Sequence, residues 1–246
     1  MDYVVAIPSY NRASYLVKKT LTALQEGGIS SDKVYIFVAN EEQEVVYKWN
    51  APGYKIVVGE LGITNQRNFI SRYFPEGKYI VSLDDDISSL HTIEEGKYKR
   101  IEDLDGFFKR AYQDLMWEGL FIWGIYPVRS LRFMYDKIST DLKFIPGFFY
   151  GFINRHLKSL ELSVWAEGKE DILQSILFYV QDGGVLRYNY VTPNQSFPKE
   201  GGLGKARLEM NEKAATYLEE TFPLLVKKYY RKNGVAEVRL ARRERK

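Results

Sequence analysis

The sequence predicts an α/β fold: a mostly parallel sheet flanked by helices, with a smaller half following residue 90. Two observations carry this. Over residues 1–90, short and uniformly apolar strands alternate with helical segments, and strands covered on both faces read as continuous apolar runs. The residues just after each of these strands are polar, charged or glycine, and ligands of such sheets bind at the carboxyl ends of the strands.

Each element follows from its local pattern. Val4–Ile7 is a buried strand, and Leu16, Leu21 and Leu24 form the apolar stripe of a helix stopped by Gly27-Gly28. Val34–Ala39 is a second strand, Glu42–Trp49 a short helix and Lys55–Val58 a third strand. Ile63–Tyr73 carries Phe69, Ile70 and Tyr73 at helical spacing, and Tyr79–Leu83 is a fourth strand ending in three aspartates. Beyond residue 90 the regularity lapses. Glu102–Trp117 and Lys169–Val180 read as helices, Leu120–Ile125 and Val185–Val191 as strands. Lys205–Glu219 and Pro223–Lys232 read as closing helices. Residues 1–90 and 91–246 are expected to be two halves of one compact unit.

Composition removes several function classes. The 246 residues, 45% apolar and 27% charged, suit a globular chain. Without cysteine there is no disulfide, thiol nucleophile or thiolate metal site. Only His91 and His156 are present, which excludes a multi-histidine metal cluster. No run approaches the roughly 18 apolar residues of a membrane span, and the chain opens directly into a strand. A soluble, cytoplasmic protein is expected. The net charge of +3 conceals an asymmetry: residues 227–246 hold nine Lys/Arg and two Glu, so this tail is +7 and the body −4.

Four strand ends should meet on one rim: Pro8-Ser9-Tyr10-Asn11-Arg12, Asn40-Glu41-Glu42, Gly59 with Gly62–Asn68, and Asp84-Asp85-Asp86. Carboxylates are hard oxygen ligands suited to Mg²⁺ or Mn²⁺, which can bridge a diphosphate. Asp84 and Asp86 can address one ion; the structural alternative is that Asp86 caps a following helix and the others are solvated. Ser9 or Asn11 would cap the helix near Ala13, whose N-terminus, with Arg12, also suits phosphate. Thr64 or Asn65 would cap the next helix. Arg67 then falls in its first turn, a position unfavourable for a cation unless an anion lies close by. The absence of a P-loop and of a G-x-G-x-x-G argues against an NTPase and an ordinary dehydrogenase.

Ile7–Arg12, Gly62 with Gln66-Arg67-Asn68, and Asp84-Asp85-Asp86 resemble, in order and spacing, a GT-A fold glycosyltransferase. The strings Phe37–Glu42 and Asn65–Ile70 more narrowly resemble phage TET-associated glycosyltransferases, which glycosylate hydroxymethylated pyrimidines in DNA. The resemblance implies a metal-dependent glycosyltransferase using a nucleoside-diphosphate sugar, UDP-sugar favoured, with Mn²⁺ or Mg²⁺. It implies that Pro8, Ser9, Tyr10 and Arg12 line the nucleotide pocket, Asn40 and Glu41 meet base or ribose, and Gln66 and Arg67 base or diphosphate. Asp84 would lie near the ribose or metal water and Asp86 would ligate the metal. A viral enzyme acting on a surface glycan or protein is the alternative, followed by a nucleotidyltransferase and a non-catalytic sugar- or nucleic-acid-binding module.

The resemblance also implies an acidic pair at a helix start, matched by Glu170-Asp171, with Asp171 as the base if the reaction is inverting, whereas retaining members do without such a base; acids are also common there because the helix dipole favours them. Pro146–Gly151 reads as a core strand, with a sugar-side wall as the alternative. Gly201–Gly204 with Lys199, Lys205 and Arg207 is either a closing loop or a solvated turn. The family's third metal ligand, a histidine, is missing, leaving Asn194, Ser196 or water. Trp123, Tyr126, Arg129 and Arg132 offer a cluster on which an extruded base would stack, and the same stretch would also serve as core. The basic run 239–246 would attract DNA phosphate or remain a solvated terminus. Val235–Leu240 would also suit an edge strand.

Overall fold

A computed structural model of the chain describes residues 2–195 and 205–241. Strand β1 (Tyr3–Pro8) sends Tyr3, Val5 and Ile7 into one core and Val4 and Ala6 into another. Both faces are buried, which is why the strand reads as an unbroken apolar run. The first helix is broken: α1 (Ala13–Leu16) passes through a π-helical turn at Val17–Leu21 into α2 (Thr22–Glu26). Then come β2 (Val34–Val38), α3 (Glu41–Asn50), β3 (Lys55–Val58), α4 (Ile63–Tyr73) and β4 (Tyr79–Leu83), the alternation expected of residues 1–90.

The remaining elements are β5 (Ile87–Glu94), β6 (Lys97–Arg100), α5 (Leu104–Glu118), β7 (Ile122–Ile125), β8 (Ile138–Ser139) and β9 (Phe149–Ile153). They are followed by α6 (Glu170–Asp182), β10 (Leu186–Tyr188), β11 (Val191–Gln195), α7 (Lys205–Thr221), β12 (Val226–Tyr230) and β13 (Ala236–Leu240). The main sheet has the order β3-β2-β1-β4-β9-β7-β10-β8, in which only β9 and β8 run against the other six strands. One face packs on α1, α2, α3 and α5, the other on α4 and α6. A third cluster joins α6 to α7 and β12 through Leu173, Ile176, Leu218 and Val226. No helix among the described residues is long and apolar enough to cross a membrane.

Several expectations need correction. Pro223–Lys232 is not a helix: it holds β12, paired with β13 across the turn at Asn233-Gly234, where Gly234 takes φ +77°. Asn-Gly between strands is a strong hairpin signal and overrides the helical reading. Val185–Val191 is not one strand. It is split between two sheets at Asn189, a fully buried side chain bound to the Lys137 carbonyl and the Ser139 hydroxyl. The aspartates lead into strand β5 rather than a helix, so Asp86 is no helix cap. Ser9, Asn11, Thr64 and Asn65 are not caps either; the residues preceding α1 and α4 are Arg12 and Gly62, neither with a side-chain capping bond. Pro146–Gly151 supplies the start of the core strand β9.

Candidate active site

The carboxyl ends of β1 to β4 meet on one rim, as parallel order requires. A cavity of about 450 Å³ opens there, lined by Pro8, Ser9, Tyr10 and Arg12 after β1, Ala39 after β2, Glu60–Ile63 after β3, and Gln66, Asp84 and Asp85. Gly62 takes φ +89°, a conformation that glycine adopts without strain, to turn the chain into α4. Tyr10 is half exposed at the edge of this cavity.

In the acid triplet Asp85 and Asp86 are buried and Asp84 is half-buried. Asp85 accepts a hydrogen bond from the Ser9 hydroxyl at 2.6 Å and pairs with Arg12 at 2.7 Å, while Asp86 lies 3.5 Å from the same guanidinium. Tyr47, buried on α3, holds the loop from below: its hydroxyl lies 2.7 Å from Ser9 Oγ and accepts from the Arg12 backbone N–H at 3.0 Å. The triplet's backbone is clamped by Thr20, in the π-helical turn. Its hydroxyl donates to the Asp84 carbonyl at 2.8 Å and accepts from the Ile87 N–H at 3.0 Å. Such turns recur beside functional sites. Burial pushes the Asp84 carboxyl up to about 7, with Asp86, Asp85 and Glu170 adding to the rise and Arg67 opposing it. Burial also raises Asp85, against the Ser9 hydrogen bond and Arg12.

This donor set suits a hard divalent cation. Asp84, half-buried, and Asp86, buried, belong to one acidic cluster, and Mg²⁺-like ions take one or two carboxylates plus substrate phosphates rather than a closed protein cage. Among the described residues no group of three or more His, Cys, Asp or Glu is placed to hold a metal ion by itself.

Arg67 is buried on α4 and pairs with Glu170 of α6 at 2.9 Å. Burial works against its charge, but Glu170 foremost, then Tyr150, Asp84 and Asp171, hold its pKa above the usual arginine value. Gly147 makes the approach possible, since a Cβ there would overlap the guanidinium. Beside this pair, Asp171 accepts from the Gly147 N–H at 3.2 Å and the Ile172 N–H at 2.8 Å. Burial and the neighbouring Glu170 charge push Asp171 up to about 6, against Arg67 and the two backbone bonds. Asp171 lines a second cleft of about 980 Å³, bounded by the loop after β7, the start of α6, α7 and the β12–β13 hairpin.

No protein-family model and no curated protein sequence matches the chain. Solved structures do. A mannosyltransferase from Pyrobaculum calidifontis, in complex with GDP-mannose and Mn²⁺, matches with a TM-score of 0.58 at 15% identity over 90% of this chain, which spans 63% of that protein. Glucosyl-3-phosphoglycerate synthase from Mycobacterium tuberculosis, in complex with Mn²⁺, UDP-glucose and phosphoglyceric acid, matches with a TM-score of 0.54 at 12% identity, covering 98% of this chain and 88% of that one.

The fold is GT-A.

Within this GT-A framework, Pro8, Ser9, Tyr10, Arg12, Gln66 and Asp84 meet at the first cavity. The others go elsewhere. Asn40 caps α3 by accepting from the Gln43 N–H at 3.0 Å, and Glu41 begins that helix; neither lines the cavity. Gln66 touches the cavity, but its amide is engaged by the backbone, accepting from the Glu60 N–H and donating to the Val38 carbonyl. The anion beside Arg67 is Glu170. Trp123 is fully buried in an aromatic core with Phe107, Phe108 and Tyr112, while Arg129 and Arg132 lie over Tyr98 and Phe133. They form no stacking platform. Asn194 is exposed on β11, paired with Ser89. Ser196, Lys199 and Gly201–Gly204 lie outside the described residues, as does 242–246; Arg207 lines the second cleft.

Sequence reasoning missed Thr20 and Tyr47, and gave Asp85 and Gly147 no individual role. For Tyr47 no signal existed: Gln43 and Tyr47 are the two buried positions of α3, whereas its other apolar residues, Val45, Val46 and Trp49, are exposed.

Proposed function

We propose that the chain is a divalent-metal-dependent glycosyltransferase. It moves a sugar from a nucleoside-diphosphate sugar, UDP-sugar favoured, to a hydroxyl acceptor. The observation that carries this is the cavity at the carboxyl rim with the acid cluster in and beside its wall. Residues 1–90 form the donor half, with the exposed Tyr10 ring as a surface for the base. Asp84 and Asp86 would hold Mn²⁺ or Mg²⁺, which would offset the charge of the departing diphosphate. Residues 91–246 supply the acceptor half. There Asp171 takes the proton of the attacking hydroxyl as the glycosidic carbon–oxygen bond forms and the bond to diphosphate breaks. The two backbone N–H bonds orient this carboxylate.

For the acceptor we favour a hydroxymethylated pyrimidine in DNA, supported by the basic residues of the C-terminal segment. A thermal-shift panel of nucleoside diphosphates and nucleotide sugars with Mn²⁺ tests the donor reading: UDP-sugars should stabilise the wild type and fail to do so in Asp86→Asn. A flat response across the panel overturns it. Transfer of radiolabelled sugar onto DNA containing 5-hydroxymethylcytosine tests the acceptor, and label appearing only in free sugar counts against DNA.

A further inference from the structure

The cleft beside Asp171 is strongly cationic. Its charged lining consists of six Lys and Arg side chains against Asp171 and Glu237. Two of the cations, Lys169 and Arg231, are already paired with Glu237 at 3.2 and 3.0 Å. Lys143 is paired with Asp141 at 2.7 Å.

Arg187 differs from all of these. It sits on β10 between Leu186 and Tyr188, which point into the main core, so strand alternation turns Arg187 to the opposite face and the cleft. Only 8% of it is exposed, yet no carboxylate lies within ion-pair distance among the described residues. Its direct contacts are Asn189 Oδ1 at 2.9 Å, the Phe144 carbonyl at 3.2 Å, the Tyr126 ring at 5.0 Å and a side-chain hydrogen bond with Tyr135, while Asp141, already paired with Lys143, acts on it only from beyond ion-pair distance. A buried guanidinium without a direct ion-pair partner is costly, whereas a planar fork of N–H donors facing a cleft matches a phosphate. Two exposed arginines, Arg207 on α7 and Arg239 on β13, line the same cleft from its other walls, and neither forms an ion pair among the described residues.

We propose that this cleft seats a phosphate group of the acceptor, with Arg187 as its buried contact and Arg207 and Arg239 as its outer contacts. The inference rests on the glycosyltransferase reading for the word acceptor, and it narrows that reading: the molecule that presents its hydroxyl to Asp171 also carries a phosphate. The shared chemistry admits two sources, the phosphodiester of a nucleic acid and a small phosphorylated alcohol.

Calorimetric titration of the full chain with inorganic phosphate tests the seat. Arg187→Gln should weaken phosphate about tenfold or more, the loss expected for a charge-assisted contact. The double variant Arg207→Ala/Arg239→Ala should weaken it several-fold, and it remains informative if Arg187→Gln does not fold. UDP with Mn²⁺ should bind every variant as it binds the wild type. Phosphate affinity unchanged in the double variant and in any folded Arg187 variant overturns the proposal. Competition then separates the sources. Displacement of phosphate by single-stranded DNA containing 5-hydroxymethylcytosine assigns it to nucleic acid, and displacement by glycerol 3-phosphate alone assigns it to a small acceptor. Displacement by neither also overturns the seat. Loss of the UDP response in the wild type, with Arg187-dependent phosphate binding intact, sinks the glycosyltransferase reading and leaves the seat standing; the reverse result does the opposite.

Discussion

Arg67 and Glu170 are 103 positions apart in sequence and 2.9 Å apart in space, an ion pair buried between α4 and α6. The pair ties the helix that follows β3 to the helix that carries Asp171. Removing one partner strands a buried charge, which typically costs about 3–5 kcal/mol, whereas replacing both with apolar groups is often neutral. Arg67→Met should therefore lower the urea midpoint sharply, and Arg67→Met/Glu170→Leu should recover most of the loss. A double variant as unstable as the single one would show that Arg67 matters through other contacts. Gly147→Ala should resemble Arg67→Met, because the added Cβ displaces the guanidinium.

Thr20 reaches the acid triplet through its backbone, satisfying the Asp84 carbonyl and the Ile87 N–H. Valine preserves the shape and removes both bonds, leaving buried polar groups unpaired at about 1–3 kcal/mol each. Thr20→Val should lower the melting temperature and weaken Mn²⁺-dependent binding of UDP, while Thr20→Ser restores the binding. A Thr20→Val protein that melts lower yet binds UDP with unchanged affinity would make Thr20 a purely structural residue.

What could be read from the sequence divides along physical lines. β1, β2 and β4 announce themselves because both faces are buried, and a continuous apolar run has few other meanings. β5 gave no such signal, since Ser88, Ser89 and Thr92 are half-buried and break the run. The cavity was legible because parallel topology forces four strand ends together. Arg67 stood out as a cation misplaced in a first helical turn, but a single sequence holds no record that a carboxylate 103 residues on supplies its anion. Asn40 looked like a ligand residue and is a helix cap, because the same polar side chain serves either purpose at a strand-to-helix turn.

The Asp171 carboxyl is raised to about 6 by burial and by Glu170. A base acts in its ionised form, so kcat/KM should climb as pH rises through about 6 and level off above it. Glu170→Gln removes the neighbouring negative charge while Arg67 keeps its positive one, so the rise should move to lower pH. Asp171→Asn should abolish transfer without weakening UDP binding. A pH profile that is the same in wild type and Glu170→Gln would remove Asp171 from the role of base.

The basic segment invites truncation, and the fold dictates where to cut. Arg239 and Leu240 belong to β13, which pairs with β12 along its whole length, and Val238 and Leu240 pack on the third core cluster. Deleting residues 239–246 would damage that hairpin and the second cleft together. Deleting 242–246 removes Arg242, Arg243, Arg245 and Lys246 with Glu244 and leaves both in place. If these cations contact DNA phosphate, the shorter deletion should flatten the dependence of DNA affinity on salt, because fewer counterions are released on binding. Its melting temperature and UDP binding should match the full chain. An unchanged salt slope, measured by fluorescence anisotropy, would assign the DNA contact to the cleft arginines and clear the terminus of any part in it.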